Sequence, residues 1–181
     1  MAVLSPVHID QLPCSVEEFT ALRDQVAITP QGGAAMMVVA LLLYTENEDL
    51  GRQCLTVAVD QARLQDGPKG YKGRQLSTPD LQRIQLQVKG KEYLARSYIR
   101  GATPANGYAL PQPPLVVECS DNPYSGSVES GTYNVFVACS GADTPRPVTA
   151  KRNDKGIWKA SEWSTLIVGI KAPARVVPDD L

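Results

Sequence analysis

The chain has 181 residues, of which 43% are hydrophobic and 20% charged, and its formal net charge is −1. This length suits one substantial core and is short for two, and the composition excludes a globally disordered chain. We therefore expect one folded domain over residues 1–173 and a flexible tail over 174–181. The N-terminal segment lacks the basic and apolar runs of a secretory signal, and no apolar run reaches the roughly 20 residues of a membrane span. These features predict a cytoplasmic protein without a membrane segment.

Helix signals follow one another closely in the first quarter of the chain. Ser15 with Glu18 forms a capping-box pattern, which predicts a helix that runs to about Ile28. The pair Thr29–Pro30 then repeats a helix start, with a hydroxyl side chain at the cap and proline at the first position. Segment 34–43 is apolar on every side, so we expect this second helix to lie at the centre of the core.

Two further helices are predicted before residue 91. Asn47 opens a third helix, whose apolar positions recur on one face as far as Leu64. A glycine-rich loop is expected at 66–73, and Thr78 starts a fourth helix that ends near Gly90.

Short stretches rich in Tyr, Val and Ile, separated by Gly, Pro and Asn, begin near residue 91 and are typical of strands joined by turns. The strands are predicted near 92–99, 115–119, 132–139, 147–151, 156–160 and 165–171. Their short spacing favours antiparallel pairing. The predicted fold class is therefore α+β, with an N-terminal helical half of about four helices (about 14–90) packed on a C-terminal antiparallel β half (about 91–171).

Three stretches together resemble an uncharacterised bacterial protein family, a domain of unknown function. They are residues 12–51, residues 93–114 with the sequence GATPANGY, and residues 140–170 with the sequence SGADTPRP. The resemblance extends from about Leu12 to Pro173. It implies a stand-alone bacterial domain of this length, and it carries no activity, cofactor or catalytic residue.

Common catalytic and metal-binding patterns are missing from the sequence. The four cysteines are far apart and His8 is the only histidine, so we expect free thiols, no metal site and no hydrolase triad. Gly32–Gly33 lacks the strand and the Gly-Lys-Ser/Thr ending of a phosphate loop, and close helix packing explains it better. The Asp143–Thr144 pair is distantly similar to an aspartic-protease loop, but Pro145 replaces the glycine of that loop. No catalytic residue and no cofactor are predicted.

Loop 96–108 and turn 140–147 carry the most site-like side chains, and we expect the two to lie close together. The residues predicted to contact a ligand or partner are Arg96, Tyr98, Arg100, Asn106, Tyr108, Asp143, Arg146 and Trp163. Arg100 and Arg146 would form a shared cationic patch, or Arg146 would pair with Asp143. The alternative is that the tyrosines and tryptophans are core and that Asn106 only shapes a turn.

Three functions remain open from these residues. The first is a non-enzymatic interaction or scaffold protein that binds an unknown protein partner or itself. The second is a binder of a small polar or anionic ligand, or an unfamiliar enzyme, that uses the two loops. The third is nucleic-acid binding through segment 69–100, which has eight basic and two acidic residues, although the slightly acidic chain and the lack of a nucleic-acid motif weigh against it.

Overall fold

The structure, a computed structural model, describes residues 1–174. Its α-helices are α1 (Val16–Val26), α2 (Pro30–Glu46), α3 (Glu48–Ala58), α4 (Thr78–Val88) and α5 (Glu92–Arg96). Its strands are β1 (Ala2–Val3), β2 (Val7–Ile9), β3 (Leu64–Tyr71), β4 (Arg74–Leu76), β5 (Leu115–Val117), β6 (Cys119–Asp121), β7 (Gly126–Ser127), β8 (Thr132–Val137), β9 (Arg146–Arg152) and β10 (Trp158–Glu162). All strand pairs are antiparallel, and the predicted α+β class is confirmed.

Helices begin where the sequence places hydroxyl and amide caps. The Ser15 hydroxyl accepts from the Glu18 amide at 3.1 Å, and the Thr29 hydroxyl accepts from the Gly32 amide at 3.1 Å. The Glu18 carboxylate reaches back one residue further than a capping box does, to the amide of Cys14 at 2.8 Å. These bonds satisfy amides that the first helical turn leaves free.

Helix α2 is the centre of the core, as its apolar sequence predicted. Fourteen of its seventeen residues are buried, and it packs against α1, α3, α5 and the strands β8, β9 and β10. A Cβ at Gly33 would lie 2.8 Å from the Trp158 carbonyl oxygen, and one at Gly32 would lie 1.8 Å from the Val26 carbonyl oxygen. The glycine pair therefore allows close packing, which confirms the predicted role of these residues in helix packing. Within residues 1–174 no helix is long and apolar enough to span a membrane.

The main sheet has the strand order β1-β6-β8-β9-β10, with β7 paired to β8 beside β6. Because side chains alternate along a strand, its register defines two faces. Val137 opposite Arg146 and Val135 opposite Val148 lie on the inner face towards α2. Val3, Ser120, Phe136 and Pro147 occupy matching positions across four strands and lie on the outer face.

Several sequence predictions were wrong, and each error has a local cause. The predicted loop at 66–73 is the β3–β4 hairpin, and the third helix ends at Ala58 rather than near Leu64. Lys72 and Gly73 both have positive φ, 52° and 76°, which is the geometry of a two-residue hairpin turn. A Cβ at Gly70 would lie 2.1 Å from the Arg74 carbonyl oxygen, so the glycines permit the close strand pairing.

Three other segments also differ from prediction. Segment 92–99 is not a strand but α5 with a following turn, and Leu94, Ala95 and Tyr98 are buried at helical spacing. Segment 165–171 contains no strand, because a 3-10 helix spans Ser164–Ile167. Segment 7–9, where no strand was predicted, forms β2, in which His8 lies opposite Val116.

The predicted flexible tail lies almost entirely outside the described residues. Its first residue, Ala174, donates its amide to the Pro104 carbonyl at 3.0 Å. The acidic pair at 179–180 lies beyond the part of the chain that the structure describes.

Candidate functional site

Loop 96–108 and turn 140–147 lie against each other, which confirms the predicted proximity. The Ser140 amide donates to the Ser97 carbonyl at 2.9 Å, and the Ser140 hydroxyl donates to the Ala102 carbonyl at 2.7 Å. A Cβ at Gly141 would lie 2.6 Å from the Tyr108 hydroxyl oxygen, so this glycine lets the turn approach the tyrosine. The two segments form one unit, which is held together by a main-chain hydrogen bond and by the Ser140 hydroxyl.

A groove runs along this unit, and we name it the Cys139 groove. It consists of two adjoining concavities of about 280 and 300 Å³ that share Glu118, Ala138 and Cys139. The remaining lining comes from Ser97–Ala102 and Ser140 on one side, and from Val3, Cys119, Ser120 and Ala142–Pro145 on the other. Much of this surface is formed by small side chains and main chain, so the groove can admit a narrow, extended ligand.

Three of the predicted contact residues are aromatic, and all three are buried. Tyr98 is 2% exposed and its hydroxyl donates to the Leu166 carbonyl at 2.6 Å. The Tyr108 hydroxyl donates to the Lys171 carbonyl at 2.6 Å, and Trp163 is 1% exposed. Burial raises the pKa of both tyrosines, so both phenols stay protonated at neutral pH. These side chains connect loops to the core, and Trp158 is buried as well, as the alternative interpretation of the tyrosines and tryptophans predicted.

The charged residues near the groove are paired, but not in the predicted way. Arg100 pairs with Glu118 at 2.7 Å, and Asp143 pairs with Lys171 at 3.0 Å. Arg146 does not pair with Asp143, and it does not line the groove with Arg100. The expected cationic patch is therefore absent from the described groove.

Strand alternation explains the position of Arg146. It lies opposite Val137 on the inner face of the sheet, and its guanidinium donates to the Gly169 carbonyl at 3.1 Å. Its Nε atom is buried and has no hydrogen-bond partner among residues 1–174. Through this hydrogen bond, Arg146 connects the segment that follows β10 to the sheet.

Asn106 shapes a turn and Arg96 lies outside the groove. The Asn106 side chain accepts from the amides of Thr103 and Ala109 and donates to the Gly101 carbonyl at 2.7 Å. Arg96 is half-buried at the end of α5.

Sequence reasoning missed the contact between Ser97 and Cys139. Their Oγ and Sγ atoms are 3.3 Å apart, and the Ser97 hydroxyl donates to the Leu94 carbonyl at 2.6 Å. Since the single hydroxyl proton is used in that bond, the thiol is the donor to Oγ. The two residues are 42 positions apart, so no local pattern in the sequence indicates the contact.

All four cysteines carry free thiols. Burial raises the pKa of Cys54 and of Cys119 to about 12, and the nearby Glu118 carboxylate adds to the shift at Cys119. In the described part of the chain, no three His, Cys, Asp or Glu side chains are grouped to hold a metal ion.

Comparison with known proteins places the chain in a family. The family model described as Domain of unknown function (DUF6935) matches residues 11–174. Neither a curated protein nor a solved structure matches the chain. The bacterial source that the resemblance implied stays a prediction. Because the match covers nearly the whole chain, this protein belongs to the DUF6935 family, an uncharacterised domain family as its sequence predicted.

Proposed function

We propose that this chain is a non-enzymatic binding protein that holds a short, extended, uncharged segment of a partner polypeptide in the Cys139 groove. The observation that carries the proposal is the groove itself, which runs from the paired loops to the open edge of the main sheet at Val3. We also propose a bacterial, cytoplasmic protein, a setting that the free thiols of all four cysteines fit.

The open sheet edge supports an extended partner. Strand β1 pairs only with β6 in the described sheet, and the Leu4 amide bonds to the Cys119 carbonyl at 2.9 Å. In an antiparallel pair the bonded residues alternate, so the main-chain groups of Val3 point away from β6. The Val3 side chain is 83% exposed beside the groove. An added strand would satisfy these main-chain groups while its side chains enter the groove.

The charge pattern favours an uncharged segment over an anion. Arg100 is neutralised by Glu118, and Asp143 by Lys171, so neither member of a pair offers a free charge to a ligand. Of the eight basic residues in segment 69–100, Arg74 pairs with Asp66 and Arg100 with Glu118, which reduces the positive charge that this segment offers to phosphates.

The thiol contact supports binding rather than nucleophilic catalysis. A nucleophilic cysteine needs a base that takes its proton. The partner of the Cys139 thiol is the Ser97 hydroxyl, which itself donates a hydrogen bond to the Leu94 carbonyl and offers no basic group.

A random-peptide phage library selected on the immobilised protein tests the proposal. Selected peptides, synthesised with a fluorescent label, should bind the wild type and be rich in small, uncharged residues. Ala138 is exposed and lines both parts of the groove, so Ala138→Arg should fill it and weaken binding at least tenfold, which is about 1.4 kcal/mol.

Ala62→Arg is the matched control, because Ala62 is exposed and lies outside the groove. This variant should bind as the wild type does, and circular dichroism should show both variants folded. Peptides that bind Ala138→Arg as tightly as the wild type would contradict the proposal, as would a selection that enriches no sequence.

A further inference from the structure

A second concavity, which we name the polar cleft, lies between the α2–α3 junction, the β3–β4 hairpin and α4. Its volume is about 470 Å³, larger than either part of the Cys139 groove and within the range of small-molecule sites. It shares no lining residue with that groove. Whatever it binds is therefore independent of the proposed peptide site.

Helix α4 presents a polar stripe to the cleft. Thr78, Gln82 and Gln85 follow one another at spacings of four and three residues and line the cleft, with Leu81 between them. The other side of α4 is anchored by the buried Ile84 and Val88. Since residues at these spacings share one helix face, α4 holds two amide groups in a fixed row.

The hairpin adds a buried amide. Gln75 is only 5% exposed, and its Oε1 accepts from the Lys69 amide at 3.0 Å. The residue lines the cleft. A Cβ at Gly67 would lie 2.1 Å from Gln75 Oε1, so glycine at this position makes room for the amide. The hairpin main chain thus holds a third amide group in place at the cleft.

The α2–α3 wall supplies a hydroxyl and a carboxylate. The Tyr44 hydroxyl donates to Glu48 Oε1 at 3.4 Å, and the Arg52 guanidinium donates to the same oxygen at 2.8 Å. Burial and the Glu48 carboxylate raise the pKa of Tyr44 to about 12, so the phenol is a neutral donor at physiological pH. The second oxygen of Glu48 remains able to accept from a ligand.

The charges of the cleft largely cancel. Arg52 pairs with Glu48 and Asp49, and Asp66 pairs with Arg74. The cleft thus offers amide groups that both donate and accept, and a phenol oxygen and a carboxylate oxygen that accept. Sugar hydroxyls both donate and accept hydrogen bonds, so they suit these groups. Leu81 and Pro68 provide an apolar surface for the C–H groups of a sugar.

We infer that the polar cleft binds a neutral sugar of one or two residues through Gln75, Gln82, Gln85 and Glu48. The side-chain NH₂ signals of glutamine in ¹⁵N-edited NMR spectra report on this directly. Titration with glucose, N-acetylglucosamine and maltose, each to about 20 mM, covers the weak affinities of small ligands. At least one sugar should shift the Gln75, Gln82 and Gln85 NH₂ signals in a saturable manner.

The double variant Gln82→Leu, Gln85→Leu should weaken that sugar at least tenfold, since both residues are exposed and their replacement leaves the core intact. Gln87→Leu, on the same helix but outside the cleft, should leave the affinity unchanged. The inference is overturned if no sugar shifts these signals, if the double variant binds as the wild type does, or if only inorganic phosphate, titrated in parallel, shifts them.

Discussion

Six of the eight residues that the sequence singled out as one site fall into two groups in the structure. Tyr98, Tyr108 and Trp163 are buried and, with the half-buried Arg146, form an interior group. Tyr98, Tyr108 and Arg146 donate to main-chain carbonyls, whereas Trp163 Nε1 has no hydrogen-bond partner among residues 1–174. Arg100 and Asp143 form a surface group, whose charges meet other exposed charges. The comparison teaches that Tyr, Trp and Arg residues near loops can hold those loops to the core, while small residues such as Gly101, Ala138 and Ser140 contribute much of the surface beside them.

The largest loss of stability is expected for an interior residue, and this loss separates the two groups most clearly. Trp163→Ala should lower the free energy of unfolding by about 3–5 kcal/mol, because it leaves a large cavity in the core. Urea denaturation followed by circular dichroism measures this. A loss below about 1 kcal/mol, the size typical of exposed positions, would move Trp163 to the surface group.

Tyr98→Phe tests a single interior hydrogen bond. The ring stays in place, but the Leu166 carbonyl loses the donor that lies 2.6 Å away. We expect a loss of about 1–3 kcal/mol in unfolding free energy, the usual cost of an unsatisfied buried group. Tyr124→Phe is the matched control, because Tyr124 is 90% exposed and its variant should unfold as the wild type does.

The pH dependence of stability gives a second comparison, between a buried and an exposed thiol. Folded Cys119 has its pKa raised to about 12 by burial and by Glu118, whereas the unfolded thiol titrates near its ordinary value of 9. A raised folded pKa stabilises the protein fully below pH 9, and this contribution is lost as the pH rises towards 12. We expect stability to fall over that window by at most about 1.4 kcal/mol per pH unit for this thiol.

Variants assign that pH dependence to the interior thiol. Cys119→Ala should give a shallower loss of stability between pH 9 and 11, compared by slope because the substitution also changes the packing. Cys14→Ala should keep the wild-type slope, because Cys14 is exposed. Equal slopes in the two variants would show that the Cys119 thiol is not protected from ionisation by the fold.

The sequence predicted those parts of the fold that depend on neighbouring residues. Ser15, Thr29 and Asn47 cap helices through bonds that span three residues, and the apolar run in α2 can only be buried. Segment 92–99 was predicted wrongly because Tyr and Ile favour strands, while helical burial of Leu94 and Tyr98 depends on the core around them.

The candidate site was harder to predict because its contacts are distant in sequence. Tyr98 and Leu166 are 68 residues apart, and Ser97 and Cys139 are 42 apart, so only the folded chain shows them together. The face of the sheet on which Arg146 lies could be predicted in part. Arg146 shares the alternation of Val148 and Ala150 along β9, and both of these residues are buried.

The smallest expected effect compares the two arginines that were predicted to act together. Arg146→Ala removes the bond to the Gly169 carbonyl and should cost about 1–3 kcal/mol of unfolding free energy. Arg100→Ala breaks an exposed pair with Glu118, which is typically worth about 0–1 kcal/mol. Raising the salt concentration should remove the Arg100 effect and leave most of the Arg146 effect, because screening weakens the attraction between two exposed charges more than a hydrogen bond to an uncharged carbonyl. If Arg100→Ala is as destabilising as Arg146→Ala, and remains so at high salt, then Arg100 belongs with the interior group, and the division of the predicted site into interior and surface groups is wrong at this position.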